Sequence, residues 1–141
     1  MRPGRYTLPV SPLVPLVTAA LRDRPEDLVA AWVFGSVARG EDSATSDVDV
    51  GVLFRTALAR TLEAIPLALH DALESALRRR VDLVVLDRAS PDLVHRVLRD
   101  GVLVLERDRS ARIAFEVRRR SEYFDMLPAW RRYRRAQRPG A

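Results

Sequence analysis

Two aspartates at alternate positions, Asp47 and Asp49, open an apolar segment of this chain. Successive side chains of a β-strand point to opposite faces, so residues two apart project from the same side. Two carboxylates held that close repel each other unless a cation lies between them. Mg²⁺ bound to nucleotide phosphate is the candidate cation, because it favours one or two carboxylates together with phosphate oxygens. A capping or turn role explains one of these acids but not both.

A Gly35-Ser36 pair follows the apolar segment 28–34 and precedes Asp47 by about a dozen residues. Glycine permits a tight turn that brings backbone N–H groups against a ligand, and a helix that begins there would direct its positive end at a phosphate. Arg39 adds positive charge for a triphosphate, although an exposed arginine on a short helix explains it equally well. Gly-Ser pairs are common in loops, so the phosphate-binding prediction depends on the position of this one.

The string GSxARG from Gly35 to Gly40, followed by SDxDxxV from Ser46 to Val52, resembles the signature of the DNA polymerase β nucleotidyltransferase superfamily. In so short a chain it resembles the MNT (minimal nucleotidyltransferase) antitoxins of HEPN/MNT toxin–antitoxin pairs. The resemblance implies an α/β fold, with a small mixed β-sheet flanked by helices. It also implies a magnesium-dependent enzyme with two Mg²⁺ ions that transfers AMP from ATP to a tyrosine of a HEPN ribonuclease toxin and so neutralises it.

Asp82 is the most informative acid outside this motif. In the family a third carboxylate comes from a neighbouring strand, and Asp82 in the apolar segment 81–86 matches it. The residues alone leave an alternative, because an acid buried unpaired is costly and Asp82 could instead be an edge-strand residue bonded to Arg78–Arg80. The resemblance implies a catalytic and metal-binding set, Asp47, Asp49 and Asp82, and a nucleotide-binding set, Gly35, Ser36 and Arg39.

Two other functions remain open: a non-catalytic antitoxin that inhibits the toxin by binding, and a nucleotidyltransferase that acts on a small molecule. Pure binding would not require three acids in this arrangement. Relatives that modify small molecules or polymerise nucleotides generally carry an added domain that helps to bind the acceptor. This chain has little beyond the catalytic unit, so a second protein is expected to complete the acceptor site in a hetero-complex or oligomer.

The composition predicts one domain spanning residues 1–141, because 48% of the 141 residues are hydrophobic, enough for one core. The absence of cysteine excludes disulfides and thiolate chemistry, and two histidines make a zinc site improbable. No apolar run approaches the roughly 18 residues that cross a bilayer, and the segment 1–5 does not resemble a signal peptide. We therefore predict a cytoplasmic protein without a membrane partner.

The periodicity of apolar residues predicts alternating helices and strands, which is typical of an α/β sheet. Ser11 is predicted to cap the first helix, Ser90 to cap a later one, and the strand 81–86 to be covered on both faces. The predicted helices span 12–23, 36–40, 57–79 with a kink or break at Pro66, 90–101, and 110–135 divided by Pro128; the predicted strands span 28–34, 48–54, 81–86 and 102–106.

The positive charge lies in the tail. Residues 107–141 contain eleven arginines against four acids, a net charge of +7, whereas residues 1–106 carry −2. In the predicted basic helical segment 108–138, four side chains recur at helical spacing and favour either self-packing or protein docking over nucleic-acid binding: Tyr123, Met126, Trp130 and Tyr133. His70, His95 and Arg99 are predicted to be solvated surface residues.

Overall fold

The structure is a computed structural model that describes residues 11–24, 27–56 and 64–138. These residues form a four-stranded sheet and five helices. In chain order the elements are α1 (Leu13–Arg22), β1 (Leu28–Phe34), α2 (Gly35–Arg39), β2 (Val48–Phe54), α3 (Ala64–Leu77), β3 (Val81–Val85), α4 (Pro91–Asp100), β4 (Val102–Glu106) and α5 (Arg109–Ala136). None of the helices in the described ranges is long and apolar enough to span a membrane.

The sheet is mixed, with strand order β3-β2-β1-β4, which confirms the predicted fold class. β1 lies inside the sheet and pairs antiparallel with both β2 and β4, while β3 pairs parallel with β2. Six of the seven residues of β1 are buried, which explains why this strand is apolar throughout. β3 lies at an edge, and the predicted cover on both faces is only partial: Leu83 and Val85 pack against one core and Val84 against the other, and all three are half-buried.

Helices cover both faces of the sheet. On one face, α1 and α3 contribute Val17, Leu69 and Leu73 to a core that also contains Val50. On the other face, α4 and α5 pack against Trp32, which contacts Phe115 of α5 with ring centroids 6.5 Å apart. Since side chains alternate along a strand, successive apolar residues of a regular strand segment are directed into different cores, as Trp32 and Val33 are.

The helix starts follow local capping. Ser90 accepts a hydrogen bond from Leu93 N at 3.3 Å, as predicted. The cap position of α1 is instead Pro12, so the helix begins one residue later than predicted and Ser11 lies just before the cap, where its Oγ accepts a hydrogen bond from Leu13 N at 3.3 Å. Pro66 lies in the first turn of α3, where its missing N–H costs nothing. The earlier part of the predicted helix, with Leu58 and Leu62, lies outside the described residues.

The C-terminal helix α5 is continuous across Pro128, so the predicted division at this residue is wrong. Proline inside a helix removes one hydrogen bond and crowds the carbonyl group four residues earlier. Phe124 provides that carbonyl, and both Phe124 and Pro128 are exposed, so water can solvate the freed group. Tertiary placement on the surface therefore allows the helix to continue.

The aromatic side chains of α5 pack largely on their own molecule. The Tyr123 ring stacks on His95 of α4 with centroids 3.7 Å apart and planes 2° apart, and Trp130 meets Tyr123 edge-on. His95 is therefore not the solvated residue that its position on a polar helix face predicts. Tyr133 of the predicted stripe is 63% exposed, so self-packing accounts for only part of that stripe; Phe124, which does not belong to the stripe, is 59% exposed.

Candidate active site

Three elements meet at one end of the sheet. β1 ends at Phe34, which lies opposite Asp49 near the start of the antiparallel strand β2. β3 runs parallel to β2 with Asp82 opposite Asp49. Strand pairing alone consequently brings three features to the same end of the sheet: the Gly35 turn, the Asp47-x-Asp49 pair and Asp82.

The aspartates also share one face of the sheet. Val48 and Val50 point into the core beneath α1 and α3, and so does Val81 of β3. Since side chains alternate, Asp49 and Asp82 project toward the face that α4 and α5 cover. Leu53, which has the same parity as Asp49, packs on that face and confirms the assignment.

Asp49 is the acid with the most strongly perturbed surroundings at this end of the sheet. It is half-buried, and burial raises the pKa of its carboxyl above the ordinary value, as do the nearby charges of Asp82 and Asp47. Arg39 opposes this increase in the pKa. The arrangement concentrates negative charge and hard oxygen donors, which suits Mg²⁺ as it occurs in phosphate-transfer sites.

Asp82 is exposed, so the expectation that it needs a buried partner does not apply. Its position on the edge strand leaves its charge in contact with water, which removes the cost of burial. Within the described ranges no salt bridge joins it to Arg78, Arg79 or Arg80 either. The third acid therefore lies at the solvent side of the cluster.

Gly35 is required at its position for two reasons. Its φ is +71°, a left-handed conformation that other residues adopt only at a cost. A Cβ atom built there would lie 2.1 Å from Oδ2 of Asp49, so the carboxylate packs directly against the backbone of the turn. The Gly-Ser turn and the acid pair are in contact, which their separation in sequence does not reveal.

The short helix α2 carries the remaining candidate nucleotide-binding residues. Ser36 is half-buried at its start, and Gly40 ends the helix in the left-handed conformation with φ +71°, as predicted. Arg39 Nε donates to Glu41 Oε2 at 3.0 Å, and the Arg39 side chain is 52% exposed. Both descriptions of Arg39 apply: it is a surface arginine, and its charge reaches Asp49.

Arg79 is a site-forming residue that the sequence analysis missed. Its Nη2 donates to Ser43 O and Ser46 O, both at 2.7 Å, and its Nε donates to Ser46 O at 3.2 Å. These hydrogen bonds hold the loop that leads into Asp47, while Val48 N bonds to Arg80 O at 2.9 Å. The only signal in the sequence is an arginine run directly before the strand that carries the third acid.

A second group of potential metal ligands lies elsewhere, on α3. Among the described residues, His70, Asp71 and Glu74 alone form a trio whose donor atoms lie within 4.8 Å of one another, so the three site aspartates are spaced more widely. His70 Nε2 is 2.8 Å from Val81 O, which makes that nitrogen a donor and unavailable to a metal. His70 thus connects α3 to β3 and is not the solvated residue that was predicted.

The raised pKa of Asp49 predicts a pH-dependent gain in stability for Asp49→Asn. In the unfolded chain this carboxyl ionises at its ordinary pKa, but in the folded chain it ionises at a higher pH, so wild-type stability falls as pH rises through that interval. We expect Asp49→Asn to raise the melting temperature in divalent-free buffer near neutral pH. The gain should vanish below the ordinary pKa of aspartate, where both forms are uncharged.

Thermal unfolding of both proteins across a pH series measures this difference. Asp125→Asn is the matched control, because Asp125 is an exposed aspartate on α5. Its variant should show no comparable pH-dependent gain. An Asp49→Asn protein that melts below wild type at neutral pH would contradict the crowding of the three acids.

Comparison with known proteins agrees with this geometry. The family model described as "Polymerase beta, Nucleotidyltransferase" matches residues 17–110, which include the whole of the acid cluster and the Gly35 turn. Among curated proteins, a sequence search finds no significant match.

Solved structures provide relatives over most of the chain. A chain from the crystal structure of a toxin–antitoxin with AMP-PNP is 30% identical with a TM-score of 0.70, and the match covers 85% of this chain and 93% of that one. A chain of the toxin–antitoxin MntA–HepT is 28% identical with a TM-score of 0.63, covering 86% and 92%. A third match, also 28% identical with a TM-score of 0.65 and covering 86% and 91%, comes from a tri-AMPylated Shewanella oneidensis HEPN toxin in complex with an MNT antitoxin. With its fold, its motif and two thirds of its length matched, this chain belongs to the polymerase β nucleotidyltransferase family.

Proposed function

We propose that this protein is an antitoxin that transfers AMP from ATP to a tyrosine of a cognate HEPN-type ribonuclease toxin in the cytoplasm. One observation carries the proposal: the Gly35 turn packs against Asp49, which lies beside Asp82, in a chain similar over 85% of its length to one from a toxin–antitoxin with AMP-PNP. The relative found with a tri-AMPylated HEPN toxin supports the toxin as the acceptor of AMP, and tyrosine is the acceptor residue that the family resemblance implies.

In this proposal Asp47, Asp49 and Asp82 would hold two Mg²⁺ ions, and the donor set fits, since hard carboxylate oxygens are the ligands that Mg²⁺ prefers. When bound, the metal supplies charge neutralisation for the phosphates and activation of the acceptor oxygen. Gly35 and Ser36 bind the triphosphate through backbone N–H groups and the serine hydroxyl, and Arg39 adds positive charge.

The reaction is an in-line displacement at the α-phosphorus. A bond forms between the acceptor tyrosine oxygen and the α-phosphorus, the bond to the bridging oxygen breaks, and pyrophosphate leaves. Asp82 accepts the proton of the tyrosine hydroxyl. Its exposure on the edge strand supports this role, because an acceptor supplied by a second protein must approach from the solvent side.

Incubation of the protein with its cognate toxin, ATP and Mg²⁺ should attach one AMP or a short chain of AMP to a toxin tyrosine, as detected by mass spectrometry. The Asp47→Asn/Asp49→Asn variant should leave the toxin unmodified, because two of the three carboxylates are gone. Asp71→Asn/Asp125→Asn, which removes two exposed acids, is the matched control and should retain transfer.

Transfer at the wild-type rate by Asp47→Asn/Asp49→Asn would overturn the assignment of the acids. A toxin that is fully inhibited but unmodified, both by wild type and by this variant, would instead establish inhibition by binding. If the protein transfers AMP to a small molecule and not to the toxin, it is instead a nucleotidyltransferase that acts on a small molecule.

Gly35→Ala should reduce transfer by about a hundredfold or more, because the added Cβ displaces the Asp49 carboxylate from its place against the turn. Gly40→Ala is the matched control: Gly40 has the same φ of +71° and pays the same backbone strain of about 1–2 kcal/mol. Transfer rates, with melting temperatures measured in parallel, separate the two effects. Equal activity losses in the two variants would show that strain alone is responsible.

Arg79→Lys should lower kcat about tenfold or more with little change in KM for ATP. Lysine keeps the charge, but its single ammonium group cannot reproduce the forked bonding to Ser43 O and Ser46 O, so the loop before Asp47 loosens. Arg80→Lys is the control, because Arg80 is exposed and contributes its backbone oxygen, which the substitution retains. Steady-state kinetics of both variants measures the effect. An unchanged kcat for Arg79→Lys would contradict the proposal that Arg79 positions the loop before Asp47.

A further inference from the structure

Helix α4 forms one wall of a small cavity beside the Gly35 turn. The cavity has a volume of about 80 Å³, and β1 and α2 line it with Phe34, Gly35 and Arg39. From the other side α4 contributes Leu93, Arg96 and Asp100, whose spacing of three and four places them on one face of the helix. A charged helix face therefore borders the turn that carries the proposed phosphate contacts.

Among the residues that the structure describes, none forms a salt bridge with Arg96, the second cation of this cavity. Asp100 lies four residues further along α4, the usual spacing of a helical salt bridge, but Arg99 occupies both of its oxygens, with Nε–Oδ1 at 3.0 Å and Nη2–Oδ2 at 2.9 Å. Within the part of the chain that the structure describes, no carboxylate lies within 4.0 Å of the Arg96 guanidinium group. The other cavity cation, Arg39, is bonded to Glu41.

The negative charge at this end of the sheet would be partly neutralised by an additional cation. Three aspartates already lie at this end of the sheet. Arg39 forms a salt bridge with Glu41, and its charge also acts on the Asp49 carboxylate. A triphosphate bound at the Gly35 turn adds further negative charge. A guanidinium group is well suited to compensate it, because its planar fork of donors matches phosphate oxygens and its charge persists at every physiological pH.

We propose that Arg96 is a nucleotide-binding residue whose guanidinium group binds oxygens of the β- and γ-phosphates of ATP at the Gly35–Ser36 turn. The pairing of Arg99 with Asp100 keeps Arg96 available for this contact. The proposal rests on the proposed function, since it requires that ATP binds at this turn, and it adds α4 to a site otherwise built from strand ends and α2.

The test measures dissociation constants of wild type and Arg96→Gln by calorimetry for ATP, inorganic triphosphate and AMP, with Mg²⁺ present. Loss of a charge-assisted contact should raise the dissociation constants of both ATP and inorganic triphosphate by about tenfold or more. AMP lacks the terminal phosphates, so its dissociation constant should not change. Arg96→Lys should restore part of the affinity, because it retains the charge without the fork.

Arg109→Gln is the matched control. It removes the same charge from an exposed arginine at the start of α5. This helix follows β4, whose last residue, Glu106, pairs with Ala30 toward the end of β1 that is remote from Gly35. This variant should bind ATP as wild type does.

Three results would overturn the proposal. If Arg96→Gln binds ATP as tightly as wild type, the arginine makes no contact. If it loses affinity for ATP but not for inorganic triphosphate, the contact is with the nucleoside. If wild type itself binds neither compound, the proposed function fails and this inference fails with it, a result that is distinct from the first two.

Discussion

The repulsion among Asp47, Asp49 and Asp82 is the constraint on which the rest of this end of the molecule depends. Parallel pairing of β3 with β2 places Asp82 opposite Asp49, and strand alternation places both on one face. Folding must therefore hold like charges together: burial raises the pKa of Asp49, and the nearby charges of Asp82 and Asp47 raise it further. Such an arrangement costs stability in the free protein, and in the proposed function a cation and a phosphate would relieve the repulsion.

The surrounding structure holds these charges in place by several independent contacts. The Gly35 turn packs against the Asp49 carboxylate, and Arg79 bonds the loop that precedes Asp47. Beneath them lies a sheet whose inner strands, β1 and β2, are buried between helices on both faces. A rigid sheet and a bonded loop together limit how far the acids can move apart, which is what metal-assisted chemistry requires.

The two faces of the sheet differ in the residues that cover them. The face beneath α1 and α3 contains the larger apolar core, whereas α4 on the other face carries Arg96 and Asp100 beside the Gly35 turn. α5 packs on that same face through Phe115 and then through Tyr123 on His95. Beyond these contacts it presents exposed aromatic and arginine side chains, so the basic segment of the sequence lies on a helix that is anchored through Phe115 and Tyr123.

Local chemistry decides much of this protein. The strands 28–34, 48–54 and 102–106 could be predicted from apolar runs, the starts of α4 and the end of α2 from Ser90 and Gly40, and the site motif from residues 35–49, because these features depend on neighbours in sequence. The predictions that failed or held only in part mostly concern surroundings: the cover of β3 held only in part, and the break at Pro128 and the solvation of His70 and His95 failed. Burial and long-range contact decide these features, and periodicity does not encode them.

The sequence by itself determined which groups are available for chemistry: two acids at alternate positions, a glycine that can adopt positive φ, and a third acid in a later strand. Only the tertiary structure decided that Asp82 lies opposite Asp49 and is exposed, that Gly35 touches the Asp49 carboxylate, and that Arg79 and Arg96 border the site. The physical reason is that a motif fixes spacing along the chain, whereas strand register and helix packing fix distances between segments. Those distances depend on burying both apolar faces of the sheet at once.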